Sequence, residues 1–132
     1  MTKTTVSPFL MFEGQAEPAM TFYVSLFEDG AITSIVRYGP QGPGTEGSVM
    51  KASFTIAGQT ILCIDSAMKH EFGFTPSFSL FVTCETEEQI RKLAAALAEG
   101  GSELMPLDNY GFSRQFAWVN DRFGVSWQLI LN

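Results

Sequence analysis

The chain closes with the stretch Asn120–Leu131, which reads NDRFGVSWQLIL and predicts a tight polar turn followed by a β-strand. Asp121 and Gly124 are residue types that favour such turns. In the strand, the polar side chain of Gln128 stands among large apolar residues. The segment just before the turn, Gln115–Val119, is aromatic and apolar and predicts the partner strand of a hairpin.

Working back from this hairpin, the same order of elements occurs twice along the chain. Two segments place apolar residues at positions i, i+3, i+4 and i+7, which predicts one buried face of a helix. These are Met20, Tyr23, Val24 and Phe27 in the first half, and Ile90, Leu93, Ala94 and Leu97 in the second. Gly30 and Gly100 follow the two stripes as stop signals, and Gly58 and Gly124 mark the two later hairpin turns.

Each half therefore predicts a strand, a helix and three further strands. The first helix is expected at about residues 16–28, and a capping box of Thr86 and Gln89 opens the second. Residues 78–83 and 102–105 are expected to be strands, and 106–112 a loop.

The predicted fold class is α+β, with two tandem βαβββ modules at about residues 7–66 and 77–132 of a single domain, 1–132. One helix covers only one face of each sheet, so the other face is covered by the other half or left concave. We expect the sheets to form a curved mixed sheet with a cup. The modules pair either within one chain or across two.

Composition narrows the functional classes. Eight Lys and Arg against 14 Asp and Glu give a net charge of −6, and no basic cluster is present, which argues against nucleic-acid binding. No run approaches the length of a membrane span. The two cysteines lack CxxC spacing and lie in apolar runs, which predicts buried thiols in a cytoplasmic protein. Twelve Phe indicate a large core, an apolar cavity or an oligomer interface.

Two stretches carry a family resemblance that covers nearly the whole chain. Residues 9–14 with 19–27 and the ending at 121–128 resemble the PhnB-like branch of the vicinal oxygen chelate (glyoxalase/bleomycin-resistance) superfamily. The resemblance implies paired βαβββ modules, a cup formed by the sheets and, commonly, a homodimer. Some members of the branch carry the description demethylubiquinone methyltransferase. This sequence lacks the Gly-rich turn between a strand and a helix that nucleotide-type cofactors need.

Metal-dependent members of that superfamily place one ligand on each of four strands. The resemblance carries these positions to Pro8, Ser79 and Gln128, and to Cys63 within one residue either way. Proline offers no ligand atom, Ser and neutral Gln are weak donors, and Asp65 nearby does not make a site alone. We therefore predict no metal site and no cofactor, and a divalent metal is disfavoured.

The candidate ligand-binding residues that line the cup are Gln128, Ser79, Cys63, Trp118, Tyr110 and Phe112. Gln128 is expected either to form the hydrogen-bonding floor of a cavity or to be a satisfied amide at a sheet edge or a dimer seam. The three aromatic residues suit a wall for a planar or cationic ligand, although core packing also explains Trp118. Cys63 is expected to be an inert buried thiol, and His70 either an ordinary surface histidine or a base at the cup rim.

Three functions remain as hypotheses. The first is a metal-independent protein that binds a small molecule in an apolar cup. The second is a metal-dependent lyase, isomerase or dioxygenase of the same superfamily. The third is a structural or regulatory homodimer. Catalytic residues are not assigned.

Overall fold

The computed structural model describes residues 3–132. The chain folds as two compact units, one that ends at His70 and one that begins at Glu71. Within the described residues, no helix is both long and apolar enough to cross a membrane.

The first unit contains one helix and one four-stranded mixed sheet. Its elements in chain order are β1 (Phe9–Phe12), α1 (Ala16–Ser25), β2 (Ala31–Arg37), β3 (Val49–Ile56) and β4 (Gln59–Asp65). The strands lie in the order β1-β4-β3-β2, with β1 parallel to β4 and the other pairs antiparallel. The helix joins β1 to β2, the two outer strands of the sheet, and packs against β2, β3 and β4.

The second unit repeats this arrangement. Its elements are β5 (Leu80–Cys84), α2 (Glu87–Ala98), β6 (Ser102–Asp108), β7 (Gln115–Asn120) and β8 (Ser126–Leu131). The strand order is β5-β8-β7-β6, again with the outer pair β5–β8 parallel. The predicted α+β fold of two tandem βαβββ modules is confirmed.

The boundaries of three elements, α1, β5 and β6, differ from the predictions. Helix α1 ends at Ser25, three residues earlier than expected, so Phe27 lies outside it. Strand β5 begins at Leu80 rather than at residue 78. Strand β6 continues to Asp108 through Pro106, which was expected to begin a loop. Because β6 is an edge strand with an irregular register between Met105 and Asp108, the missing N–H of Pro106 is tolerated there.

The predicted capping box at α2 forms with one change of partner. The Thr86 hydroxyl accepts from the Gln89 backbone N–H at 3.1 Å. The Gln89 side-chain oxygen accepts from the Glu85 backbone N–H at 2.8 Å, one residue before the expected partner. The cap satisfies donors that the first turn of a helix leaves unpaired, so α2 begins at a defined residue.

Candidate functional site

The closing strand β8 has two chemically different faces. Trp127, Leu129 and Leu131 are fully buried, on the side where α2 packs. Because side chains alternate along a strand, Ser126 and Gln128 lie on the opposite face. The polar residue of the closing strand therefore lies on the face of the second sheet that α2 does not cover.

Aromatic side chains flank Gln128 on both neighbouring strands. Phe81 of β5 pairs with Gln128 in parallel register, and Trp118 of β7 pairs with it in antiparallel register. Residues paired in this way lie on the same face, about 5 Å apart. The Phe81 side chain is 58% exposed, whereas Gln128 and Trp118 are half-buried. The amide thus lies between two rings, one of them open to contact.

Four polar groups on this face form a connected hydrogen-bond network. The Trp118 indole Nε1 donates to Ser126 Oγ at 2.9 Å. Ser126 Oγ lies 2.7 Å from Ser79 Oγ. The Gln128 amide Nε2 donates to Ser79 Oγ at 3.3 Å. The network fixes the Gln128 side chain, and a fixed polar group beside apolar rings is typical of ligand pockets.

An aromatic group continues the same face along β7. Phe116 lies two residues before Trp118 and is buried. The rings of Tyr110 and Phe112 stack on each other, 6.4 Å apart and inclined by 17°. Each meets the Phe116 ring edge-on, at 6.3 and 5.1 Å between centroids. We call the whole surface the Gln128 face, which is formed by Ser79, Phe81, Tyr110, Phe112, Phe116, Trp118, Ser126 and Gln128.

The structure thus brings five predicted site residues together in the second unit: Gln128, Ser79, Trp118, Tyr110 and Phe112. Cys63 is the exception, and its assignment to the lining of the cup needs correction. It is fully buried and alternates with Ile61 and Asp65 on the side of β4 that α1 covers. Leu62 occupies the opposite face and pairs with Phe9, as Gln128 pairs with Phe81. Leu62, one residue away from Cys63, is therefore the counterpart of Gln128.

The expectation of inert thiols agrees with the surroundings of both cysteines. Burial, reinforced by the nearby Asp65 carboxylate, raises the pKa of Cys63 to about 12. Burial alone raises the pKa of Cys84 to about 11. Since the thiolate is the nucleophile, neither thiol is poised for reaction near neutral pH.

This leads to a prediction for thiol labelling. At pH 8 the Cys63 thiol is almost entirely protonated in the folded protein, because burial raises its pKa to about 12. Both thiols should react with Ellman's reagent at least about a hundredfold more slowly in native protein than in denaturant. Unfolded thiols ionise first as pH rises, so the free energy of unfolding should fall above about pH 9. Rapid labelling of one thiol in native protein would contradict this prediction.

His70 belongs to a loop of the first unit. Its ring Nε2 lies 2.9 Å from Ser66 Oγ, and its backbone N–H donates to Glu13 Oε2 at 3.3 Å. Ser66 in turn donates to Met68 O, so these contacts hold the loop after β4 in place. A role for His70 as a base stays a prediction.

The donor atoms at the family's metal positions do not fit a divalent transition metal. Gln128 and Ser79 are neutral and engaged with each other, and Leu62 has no donor atom. The Pro8 carbonyl accepts from the Leu62 backbone N–H at 2.9 Å. The Asp65 carboxylate accepts from three backbone N–H groups. Within residues 3–132, no three His, Cys, Asp or Glu side chains gather as a metal site requires.

Sequence reasoning missed three residues of the Gln128 face: Ser126, Phe81 and Phe116. The signal for each was present in strand alternation. Ser126 precedes Gln128 by two, Phe81 follows Ser79 by two, and Phe116 precedes Trp118 by two. The pairing of β5 with β8 places Phe81 next to Gln128, and this pairing could not be predicted from the sequence.

Several proteins of known structure share this architecture. A PhnB protein from Bacillus cereus is 55% identical over 98% of this chain and 100% of that chain, with a TM-score of 0.95. A Pseudomonas aeruginosa protein is 24% identical over 98% of each chain, with a TM-score of 0.84. The fosfomycin resistance protein FosX from Listeria monocytogenes shares the fold at 11% identity and a TM-score of 0.67, with 100% of this chain and 95% of that chain covered. A comparison with curated protein sequences finds no match.

The tandem βαβββ fold and these likenesses define a protein of the vicinal oxygen chelate superfamily. Within it, the sequence model of the family described as 3-demethylubiquinone-9 3-methyltransferase matches residues 4–130. The chain belongs to this PhnB-like family, and the resemblance inferred from its two motifs is confirmed.

Proposed function

We propose that the protein binds a small, partly planar molecule on the Gln128 face, without a metal. One observation carries the proposal: the half-buried amide of Gln128 is fixed by Ser79 and lies between the rings of Phe81 and Trp118. Polar groups that are held in place among apolar side chains give a pocket its orientation and selectivity. Exposed aromatic surface at Phe81 and Phe112 supplies area for a ligand to bury.

The family description names a methyl transfer, and the local chemistry favours binding over that reaction. The turns that lead into α1 and α2 contain no Gly-rich loop. At α1 the Ala16 N–H is taken by the Asp65 carboxylate, and at α2 the Gln89 N–H is taken by Thr86. These groups are therefore engaged within the chain rather than offered to a nucleotide-type cofactor. The expectations of a homodimer and of a cytoplasmic location stay predictions.

A thermal-shift screen tests the proposal. We expect some planar compounds to raise the melting temperature by several degrees at concentrations well above their dissociation constants, because a ligand that binds only the folded state stabilises it. The shift should be lost in Trp118→Ala, which removes one of the rings beside Gln128. Trp118→Phe keeps a ring without the N–H donor and should retain part of the shift.

Phe22→Ala is the matched control, because Phe22 is a half-buried aromatic residue of α1 in the first unit. It should lower the melting temperature of the free protein yet keep the ligand-induced shift. An equal loss of the shift in Phe22→Ala and Trp118→Ala, or no binder in a broad planar library, would refute binding at the Gln128 face.

A further inference from the structure

Building on that proposed function, we propose which ligands the Gln128 face selects. It takes planar molecules that donate a hydrogen bond, such as an aromatic N–H or an amidinium, and rejects planar anions. The inference follows from counting protons and lone pairs on this face.

The hydrogen-bond network uses its own hydroxyl and indole protons. Ser79 Oγ donates to the Pro76 carbonyl, 3.4 Å away, which as a carbonyl only accepts. Ser126 must then supply the proton of the 2.7 Å contact with Ser79. The Trp118 indole N–H goes to Ser126, and the Gln128 Nε2 goes to Ser79. Each hydroxyl has one proton, so no hydroxyl proton remains for a ligand, whereas Gln128 Nε2 keeps its second proton.

What remains at Gln128 is the amide oxygen, beside the second proton of Nε2. The described residues 3–132 give Gln128 Oε1 no hydrogen-bond donor. Asn120, which pairs with Ser126, has a buried Oδ1 that likewise has no hydrogen-bond partner within the described chain. Gln128 Oε1 stays open to solvent, so a ligand donor can reach it, whereas Asn120 Oδ1 is closed off.

Charge on the face points the same way. The row of paired residues that crosses the four strands at Gln128 contains no cation. It consists of Phe81, Gln128, Trp118 and Met105. Arg114 lies four residues before Trp118, and its Nε donates to the Asn132 carbonyl. A planar anion beside Gln128 would meet one amide N–H and no cation in this row, whereas a cation would meet the amide oxygen and the faces of two aromatic rings. The chain's net charge of −6 adds a general preference for cations.

The spacing of the aromatic groups suits a molecule of one or two rings. Phe116 pairs with Ile130, so it is a diagonal neighbour of Gln128, at about 7 Å. Trp118 pairs directly with Gln128 and lies two residues from Phe116 on β7, so it shares a face with both. A fused bicyclic ring bound over Trp118 is long enough to place an edge N–H at Gln128 Oε1.

Two pairs of probes of matched shape test the inference on the full chain by calorimetric titration. Indole carries a ring N–H, and benzofuran has an oxygen in its place. Benzamidinium and benzoate match in size and differ in charge. We expect indole to bind about tenfold more tightly than benzofuran, and benzamidinium at least about tenfold more tightly than benzoate.

Substitutions of Gln128 assign these preferences to its oxygen. Gln128→Met should remove the difference between indole and benzofuran, while the control Gln59→Met keeps it, because Gln59 is exposed in the first unit and bonds to Thr60. Gln128→Glu keeps acceptor oxygens and should raise the preference for benzamidinium further, which gives a second readout if Gln128→Met does not fold.

The outcomes separate the two proposals. Equal binding of indole and benzofuran, or tighter binding of benzoate than of benzamidinium, overturns the donor selectivity and leaves the binding function standing. Failure of every planar compound, in this panel and in the screening library, overturns the binding function itself.

Discussion

Replacing Asp121 with alanine should lower the free energy of unfolding by about 3 to 5 kcal/mol. Asp121 is only 3% exposed, and its carboxylate organises the turn between β7 and β8. Oδ1 accepts from the Phe123 and Val125 backbone N–H groups at 2.8 and 3.1 Å. Oδ2 accepts from the Trp127 indole N–H at 2.8 Å. Alanine would leave these donors buried and unpaired, which costs more than the bonds contribute net.

Urea unfolding followed by tryptophan fluorescence measures this effect, since both tryptophans of the chain lie in the second unit. Asp121→Asn retains one acceptor oxygen and should lose about half as much. Asp108→Ala is the matched control, because Asp108 is exposed and accepts only from its neighbour, the Asn109 N–H, among the bonds described. A loss in Asp121→Ala no larger than in Asp108→Ala would contradict the role of this carboxylate.

Asp65→Ala should cost the first unit about 3 to 4 kcal/mol for a similar reason. The Asp65 side chain is 3% exposed and accepts from the backbone N–H groups of Gly14, Ala16 and Val49, at 2.8 to 3.0 Å. It therefore ties the end of β4 to the start of α1 and to the start of β3. Loss of the carboxylate releases all three contacts together.

Urea unfolding followed by far-ultraviolet circular dichroism measures this loss. Asp29→Ala is an informative comparison, because Asp29 accepts from two backbone N–H groups, those of Ala57 and Gly58, at an exposed turn. Water replaces those bonds, so a smaller cost of about 1 kcal/mol is expected. If the two substitutions cost the same, burial of the Asp65 bonds is not what stabilises this junction.

The architecture could be predicted because the sequence features that indicate it recur in the same order in both halves of the chain. Helical stripes and Gly stops in the same order twice predicted the tandem modules, which strand order then confirmed. Both buried aspartates escaped sequence reasoning as structural residues. Asp65 was weighed only as a metal ligand, and Asp121 only as a turn former. Their partners are backbone N–H groups, and the register that brings Gly14 or Val49 to Asp65 depends on tertiary pairing.

The candidate site was predictable in its residue types and less so in its geometry. The polar residue in an apolar strand located Gln128, and the aromatic loop located Tyr110 and Phe112. The misplacement of Cys63 came from a one-residue uncertainty in register, which moves a side chain to the other face of a sheet. The neighbours of Gln128 depended on the parallel pairing of β5 with β8, which contributes no local pattern.

The most direct test of the central claim uses the chain's two tryptophans as opposed reporters. The Trp118 indole N–H lies on the Gln128 face and donates to Ser126, whereas the Trp127 indole N–H is buried on the α2 side and donates to Asp121. In ¹H–¹⁵N spectra, titration with indole should shift the Trp118 indole signal and the Gln128 side-chain amide signals. The Trp127 signal should stay in place. A shift confined to Trp127, or saturable binding that moves neither Trp118 nor Gln128, would contradict a binding site on the Gln128 face.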